Sequence, residues 1–215
     1  MNNHPGAVVF DMDGLLFDSE ALYRDGFLSA AGKLGLALTS TDFLDLVGRS
    51  WTVNRDVLKR HLGSLHTVET FRLLWMEHYE EKRAGLQLKA GAMRLLGKLD
   101  ELQLPRAICT SSSHADVKYN LDLHGLTGRF DAIVASGDYN QGKPAPDPFL
   151  RAAEMLGTAP ANCLALEDSF NGVRAAFAAG MRTVMVPDLL APTDEIRKLC
   201  EFVALDLHEV CERLT

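Results

Sequence analysis

Five short runs of nearly uninterrupted apolar residues restrict the fold most: Ala7 to Phe10, Arg106 to Cys109, Asp131 to Ala135, Cys163 to Leu166 and Thr183 to Val186, with a weaker sixth near Phe202. Turn residues bound each run and polar residues rarely alternate within it, the pattern of a strand covered on both faces. Helical stripes with apolar residues at i, i+3, i+4 and i+7 separate the later runs: Ala92/Leu95/Leu96/Leu99, Phe149/Ala152/Ala153/Leu156, Val173/Ala176/Phe177/Gly180 and Leu207/Val210/Cys211/Leu214. Each stripe buries one helix face. Strands alternating with such helices predict right-handed βαβ crossovers, and so an α/β fold with a doubly wound, Rossmann-like parallel sheet.

One gap breaks the alternation. The first and second runs are separated by residues 11–105, far more than one crossover helix can use. Within the gap helical stripes recur without a strand: Phe27/Ala30/Ala31/Leu34, Val57/Leu58/Leu62 and Phe71/Leu74/Trp75/His78, with Gly48 and Gly63 as expected helix stops. Residues 17–86 therefore read as an all-helical insertion, a cap, and residues 1–16 with 87–215 as the α/β core. His78, Trp51 and Trp75 are read as packing residues of the insertion. The 215-residue length, about 1.4 ordinary domains of roughly 150 residues, would fit one large domain, one domain with a sizeable insertion or two small domains, and the gap selects the insertion.

Composition removes several classes of function. A net charge of −7 without a compensating Lys/Arg stripe argues against nucleic-acid binding. No apolar run reaches the roughly 18 residues needed to span a bilayer, and Met1 to Gly6 lack the pattern of a secretory signal, so a soluble, cytoplasmic protein with no membrane partner is expected. The four cysteines, Cys109, Cys163, Cys200 and Cys211, form no C-x-x-C pair and read as buried thiols in a reducing compartment.

In open α/β sheets ligands bind beyond the carboxyl ends of the strands. There the sequence places Asp11-Met12-Asp13-Gly14, then Thr110-Ser111-Ser112-Ser113, then Ser136-Gly137-Asp138 with Gly142-Lys143-Pro144 beyond it, and Glu167-Asp168-Ser169. Acids, hydroxyls and one lysine thus converge on one edge. Two carboxylates two residues apart repel unless a cation or a shared proton relieves them. An EF-hand reading of Asp11 to Leu16 fails, because Leu15 and Leu16 stand where an oxygen ligand and a glycine are needed. Gly137 to Lys143 imitates a P-loop, but Pro144 has neither the hydroxyl nor the amide hydrogen that the motif requires next. Thr110 or a neighbouring serine is expected to cap the following helix, whose amino terminus also suits a phosphate.

Taken in order, Asp11 to Glu20, Thr110-Ser111-Ser112, Gly142 to Asp147 and Leu166 to Gly172 strongly resemble the haloacid dehalogenase superfamily of phosphatases and phosphomutases. The segment Ala175 to Met181 is similar to its β-phosphoglucomutase-like branch, whose helical cap follows the first motif. The resemblance implies a Mg2+-dependent phosphatase acting on a small phosphomonoester, most simply a sugar phosphate or related metabolite. In it Asp11 is the nucleophile that becomes an aspartyl-phosphate, and Asp13 the general acid and base. Thr110, with Ser111 beside it, and Lys143 bind the phosphoryl group. Mg2+ is held by Asp11, Asp168 and the main-chain carbonyl of Asp13, with Glu167 supporting its water shell. Glu20, Arg49 and Ser50 are candidate selectivity contacts, and a monomer or weak homo-oligomer is expected. The alternative is a hexose-phosphate mutase, against which stands Tyr23, at the place where relatives of β-phosphoglucomutase carry histidine. Dehalogenation would need neither Asp13 nor the metal site, and a non-catalytic module would not keep Asp11, Asp13, Lys143 and Asp168 together.

Overall fold

The computed structural model describes residues 4–49 and 51–214. Six strands, β1 (Ala7–Phe10), β2 (Arg106–Cys109), β3 (Ala132–Val134), β4 (Cys163–Glu167), β5 (Arg182–Met185) and β6 (Phe202–Val203), form one parallel sheet in the order β3-β2-β1-β4-β5-β6. This is the doubly wound α/β arrangement expected from the continuous apolar runs. The chain builds outward from β1 to β3, then returns to the other flank of β1 as β4, so the winding reverses where β1 and β4 lie side by side. That reversal opens a crevice at the carboxyl ends of the strands. The register fixes what meets there: Phe10 is level with both Ile108 and Leu166, and the Asp11 amide donates to the Leu166 carbonyl at 2.9 Å. Asp11, Thr110 and Glu167-Asp168 thereby leave the sheet at one edge.

The helices are α1 (Ser19–Lys33), α2 (Ser40–Leu44), α3 (Trp51–Leu62) and α4 (Leu65–Lys82), which come early in the chain, and α5 (Ala92–Glu101), α6 (His114–Leu123), α7 (Asp147–Met155), α8 (Phe170–Ala178), α9 (Asp194–Leu199) and α10 (Leu207–Arg213), which connect or follow the later strands and cover the sheet. Ala7, Val9, Ala107, Cys109, Cys163 and Ala165 pack with Phe149, Ala152 and Ala153 of α7 and with Ala175 and Ala176 of α8 in one buried cluster. Small residues on both partners allow helix and strand to approach closely. Val8 and Phe10, on the opposite face of β1, are also fully buried. Coverage of both faces is why these strands show no polar alternation.

Two details differ from the stripes. Phe177 is 51% exposed and Gly180 lies beyond the end of α8, whose buried residues are Gly172, Val173, Ala175 and Ala176. Strand β4 continues one residue past Leu166 to Glu167, because a lysine described below satisfies the buried carboxylate.

The chain divides into two compact units, one running to Phe17 and resuming at Leu88, the other Asp18–Gln87. The second unit contains α1 to α4. Its interior is aromatic: Phe27, Phe43, Phe71 and Trp75 meet with ring centroids 5.2–6.0 Å apart. The Trp75 indole N–H donates to the Tyr23 carbonyl at 2.7 Å, and the Tyr23 ring stacks on Tyr79 at 4.3 Å. The buried row of α4 is Val68, Phe71, Trp75 and Tyr79, so His78 falls beside it, half-buried. Trp51 is also half-buried, with the Arg72 guanidinium 4.2 Å from its ring.

Candidate active site

The first acidic segment leaves β1 through a tight turn. Gly14 has φ of +78°, which an L side chain resists, and its amide donates to the Phe17 carbonyl at 2.9 Å. This turn sends Asp11 and Asp13 into different surroundings. Asp11 is buried, and its Oδ1 accepts from Lys143 Nζ at 2.5 Å. Lys143 also donates to Glu167 Oε1 at 2.5 Å and to the Cys109 carbonyl at 3.0 Å. An ammonium has three protons, so Lys143 is fully committed. A ligand beside it would meet its charge but no spare N–H.

Glu167 is fully buried, and Ser169 donates to its Oε2 from both the amide (3.3 Å) and the hydroxyl (3.1 Å). The same Ser169 hydroxyl accepts from the Gly172 amide at 3.1 Å and so caps α8. A Cβ on Gly172 would lie 1.9 Å from the Glu167 carboxyl carbon. The spacing Glu167, Ser169, Gly172 is thus one device: the serine orients the acid, and the glycine leaves room for it.

Asp13 is half-buried, and its Oδ2 accepts from Ser112 Oγ at 2.6 Å and from Thr110 Oγ1 at 3.5 Å. Thr110 Oγ1 in turn accepts from the Ser112 amide at 3.0 Å. Ser113 caps α6 by accepting from the Asp116 amide. Asp138 accepts from the Ala135 amide and pairs with His114 at 2.8 Å, apart from the acid cluster. Sequence reasoning missed Ser112 and Ser169 as functional side chains. The hydroxyl run after β2 and the serine after Glu167-Asp168 carried the signal, but not which hydroxyl serves which acid. Of the selectivity candidates, Glu20 is half-buried in the first turn of α1, Arg49 is exposed between α2 and α3, and Ser50 lies outside the described residues.

One carboxylate oxygen each of Asp11, Glu167 and Asp168 lie within 4.8 Å of one another, all three residues buried. Burial drives the Asp11 carboxyl up to about 8, with Lys143 opposing and Glu167 adding to the rise. Burial alone would lower Lys143, but Asp11 and Glu167 outweigh it and hold the ammonium well above its ordinary value. The lysine therefore stays charged. One ammonium cannot balance three buried carboxylates, and an all-oxygen cluster short of one or two positive charges fits a hard divalent cation such as Mg2+. The Asp13 carboxylate is not one of these three. Burial also pushes the Cys109 thiol up to about 12, so it is inert.

Comparison with known proteins places this geometry. The family model described as haloacid dehalogenase-like hydrolase matches residues 5–180. The chain is 34% identical over 204 residues to the plasmid-encoded protein CbbY of Cupriavidus necator, covering 87% of this chain and 80% of that protein. It is 31% identical over 182 residues to the fructose-1-phosphate phosphatase YqaB of Escherichia coli, covering 83% and 95%. The crystal structure of a hydrolase from Pseudomonas syringae superposes with a TM-score of 0.82 at 25% identity, covering 97% of each chain.

Proposed function

The chain belongs to the haloacid dehalogenase-like hydrolases, and from that membership we propose that it is a Mg2+-dependent phosphatase that hydrolyses a small phosphomonoester, a sugar phosphate or related metabolite, through an aspartyl-phosphate on Asp11. The observation that carries the reading is the buried Asp11 carboxylate, held by Lys143 beside Glu167 and Asp168 at the head of the sheet.

Lys143 opposes the protonation that burial favours at Asp11 and fixes Oδ1, leaving the other oxygen of the ionised carboxylate to bond phosphorus as the bond to the leaving group breaks. Asp13 gives its proton to the departing oxygen. In the second step Asp13 takes a proton from water. The water oxygen bonds phosphorus, the bond to Asp11 breaks, and both carboxyls return to their starting state. Ser112 orients Asp13 between the two transfers. The Thr110 hydroxyl and the Ser111 amide supply hydrogen bonds to the phosphoryl oxygens, and Lys143 supplies charge. Asp11, Asp168, Glu167 and the Asp13 carbonyl would hold Mg2+, which when bound balances the buried carboxylates and polarises the phosphoryl oxygens. Leaving-group selectivity is assigned in this reading to the helical unit.

Tyr23 supports hydrolysis over the mutase alternative, since packing against Tyr79 engages its ring and a phenol does not do the proton chemistry of an imidazole near neutral pH. The test is phosphate release from a panel of sugar phosphates, nucleoside monophosphates, phosphoglycolate and glycerol phosphates, with and without Mg2+, for the wild type and Asp11→Asn. Release that needs the metal and vanishes in the variant is expected. Inactivity across the whole panel with Mg2+ present would overturn the assignment.

A further inference from the structure

The segment between β3 and α7 sends two side chains to the end of β2. Lys143 holds the Cys109 carbonyl, and the Tyr139 hydroxyl donates to the next carbonyl, that of Thr110, at 3.3 Å. The ring itself packs against the cluster containing Val134 and Phe149. A phenylalanine would satisfy that packing, so the hydroxyl has a separate use.

We propose that Tyr139 is a positioning residue that fixes the Thr110–Ser111 peptide so that the Ser111 N–H is presented to a phosphoryl oxygen. The inference rests on the phosphatase reading above and adds to it a residue outside the four motifs. A trans peptide is planar, with its C=O and N–H pointing in opposite directions. Holding the Thr110 carbonyl toward Tyr139 therefore turns the Ser111 N–H away from it. A flipped peptide would offer the anion a carbonyl oxygen instead of a donor, and the phenol resists that flip by retaining the carbonyl.

The other hydrogen bonds of the segment leave the same amide open. Lys143 has spent its three protons, Ser112 Oγ is on Asp13, the Ser112 amide is on Thr110 Oγ1, and Ser113 caps α6. Among the described residues no main-chain carbonyl accepts from the Ser111 N–H. Among the described residues the Ser113 amide likewise has no main-chain acceptor, but it is the Ser111 amide that belongs to the peptide whose carbonyl Tyr139 holds.

Tyr139→Phe keeps the ring and removes the restraint. With p-nitrophenyl phosphate and Mg2+, kcat should fall about tenfold, part of the roughly 10²-fold loss that follows outright removal of an oxyanion donor, while KM and the melting temperature hold. In nitrogen-15-labelled protein the Ser111 amide resonance should move on titration with inorganic phosphate in the wild type and move much less in the variant. Unchanged kcat with an unchanged amide response would overturn the proposal. So would a fall in kcat accompanied by a lower melting temperature and a raised KM, the mark of general loosening, or a wild-type Ser111 amide that ignores phosphate. If the wild type hydrolyses nothing but the amide responses differ as stated, the positioning role stands and the phosphatase reading falls.

Discussion

Lys143 and Trp75 occupy comparable places in the two units, and they hold their surroundings by opposite means. Lys143 joins the ends of β1, β2 and β4 through three directed bonds from one buried charge. Trp75 joins α4 to α1 through ring packing against Phe27, Phe43 and Phe71 and a single indole hydrogen bond. The charged centre depends on ionisation and on whatever cation shares its carboxylates. The aromatic centre depends on packing volume and one neutral hydrogen bond.

The largest expected effect falls on the charged side. Asp11→Asn preserves shape and removes the nucleophile, so phosphate release should drop by roughly 10³-fold or more with the melting temperature intact. Retained turnover in that variant would place the chemistry elsewhere.

Lys143→Met and Trp75→Ala should each cost roughly 3–5 kcal/mol of stability, the first by leaving buried carboxylates unpaired and the second by opening a cavity. Their response to Mg2+ separates them. Thermal unfolding of Lys143→Met should be rescued in part by Mg2+, whereas Trp75→Ala should be indifferent to it beyond the wild-type gain; equal rescue would erase the distinction.

The wild type has its own pH signature. In the metal-free fold the Asp11 carboxyl sits at about 8, against an ordinary 3.8. The folded state thus keeps a proton through that window which the unfolded chain has released. This group's stabilisation is complete below the lower value and is lost as pH rises through the upper one. Mg2+ should therefore raise the melting temperature more at pH 8 than at pH 5, and equal gains would contradict the assignment. The smallest effect belongs to the aromatic side: Gly26→Ala puts a Cβ 2.9 Å from Trp75 Cδ1 and 3.0 Å from its carbonyl, for a cost of roughly 1–3 kcal/mol in denaturant unfolding without change in kcat.

Much of this was legible in the sequence. Continuous apolar runs gave the sheet and its crossovers, and the residues just after them gave Asp11, Asp13, Thr110, Lys143 and Asp168. What periodicity could not supply was pairing between distant side chains. That Lys143 would be saturated, that Gly172 would stand against Glu167, and that Ser112 instead of Ser113 would reach Asp13 are consequences of register and helix start, which a linear pattern does not encode. Helix α2, five residues long, was too short for a stripe, although Thr39 and Asp42 form its capping box. The row on α4 drifted from His78 to Tyr79 because a helical turn is 3.6 residues and a short window can be read along either neighbouring ridge.

Where the chain leaves the α/β unit and where it returns, Phe17 and Leu88 pair as an antiparallel bridge. Directly paired residues of that kind have Cα atoms about 5 Å apart, the spacing of a hairpin's two arms. To the sheet, the whole of Asp18–Gln87 is therefore equivalent to a surface turn, since closing a longer loop adds little entropy once its ends are fixed. Such a segment can lengthen, shorten or be exchanged for another over generations without disturbing strand order. On the proposed reading, one reaction centre can in this way acquire many specificities, because the unit proposed to choose the leaving group and the unit proposed to react inherit their changes separately.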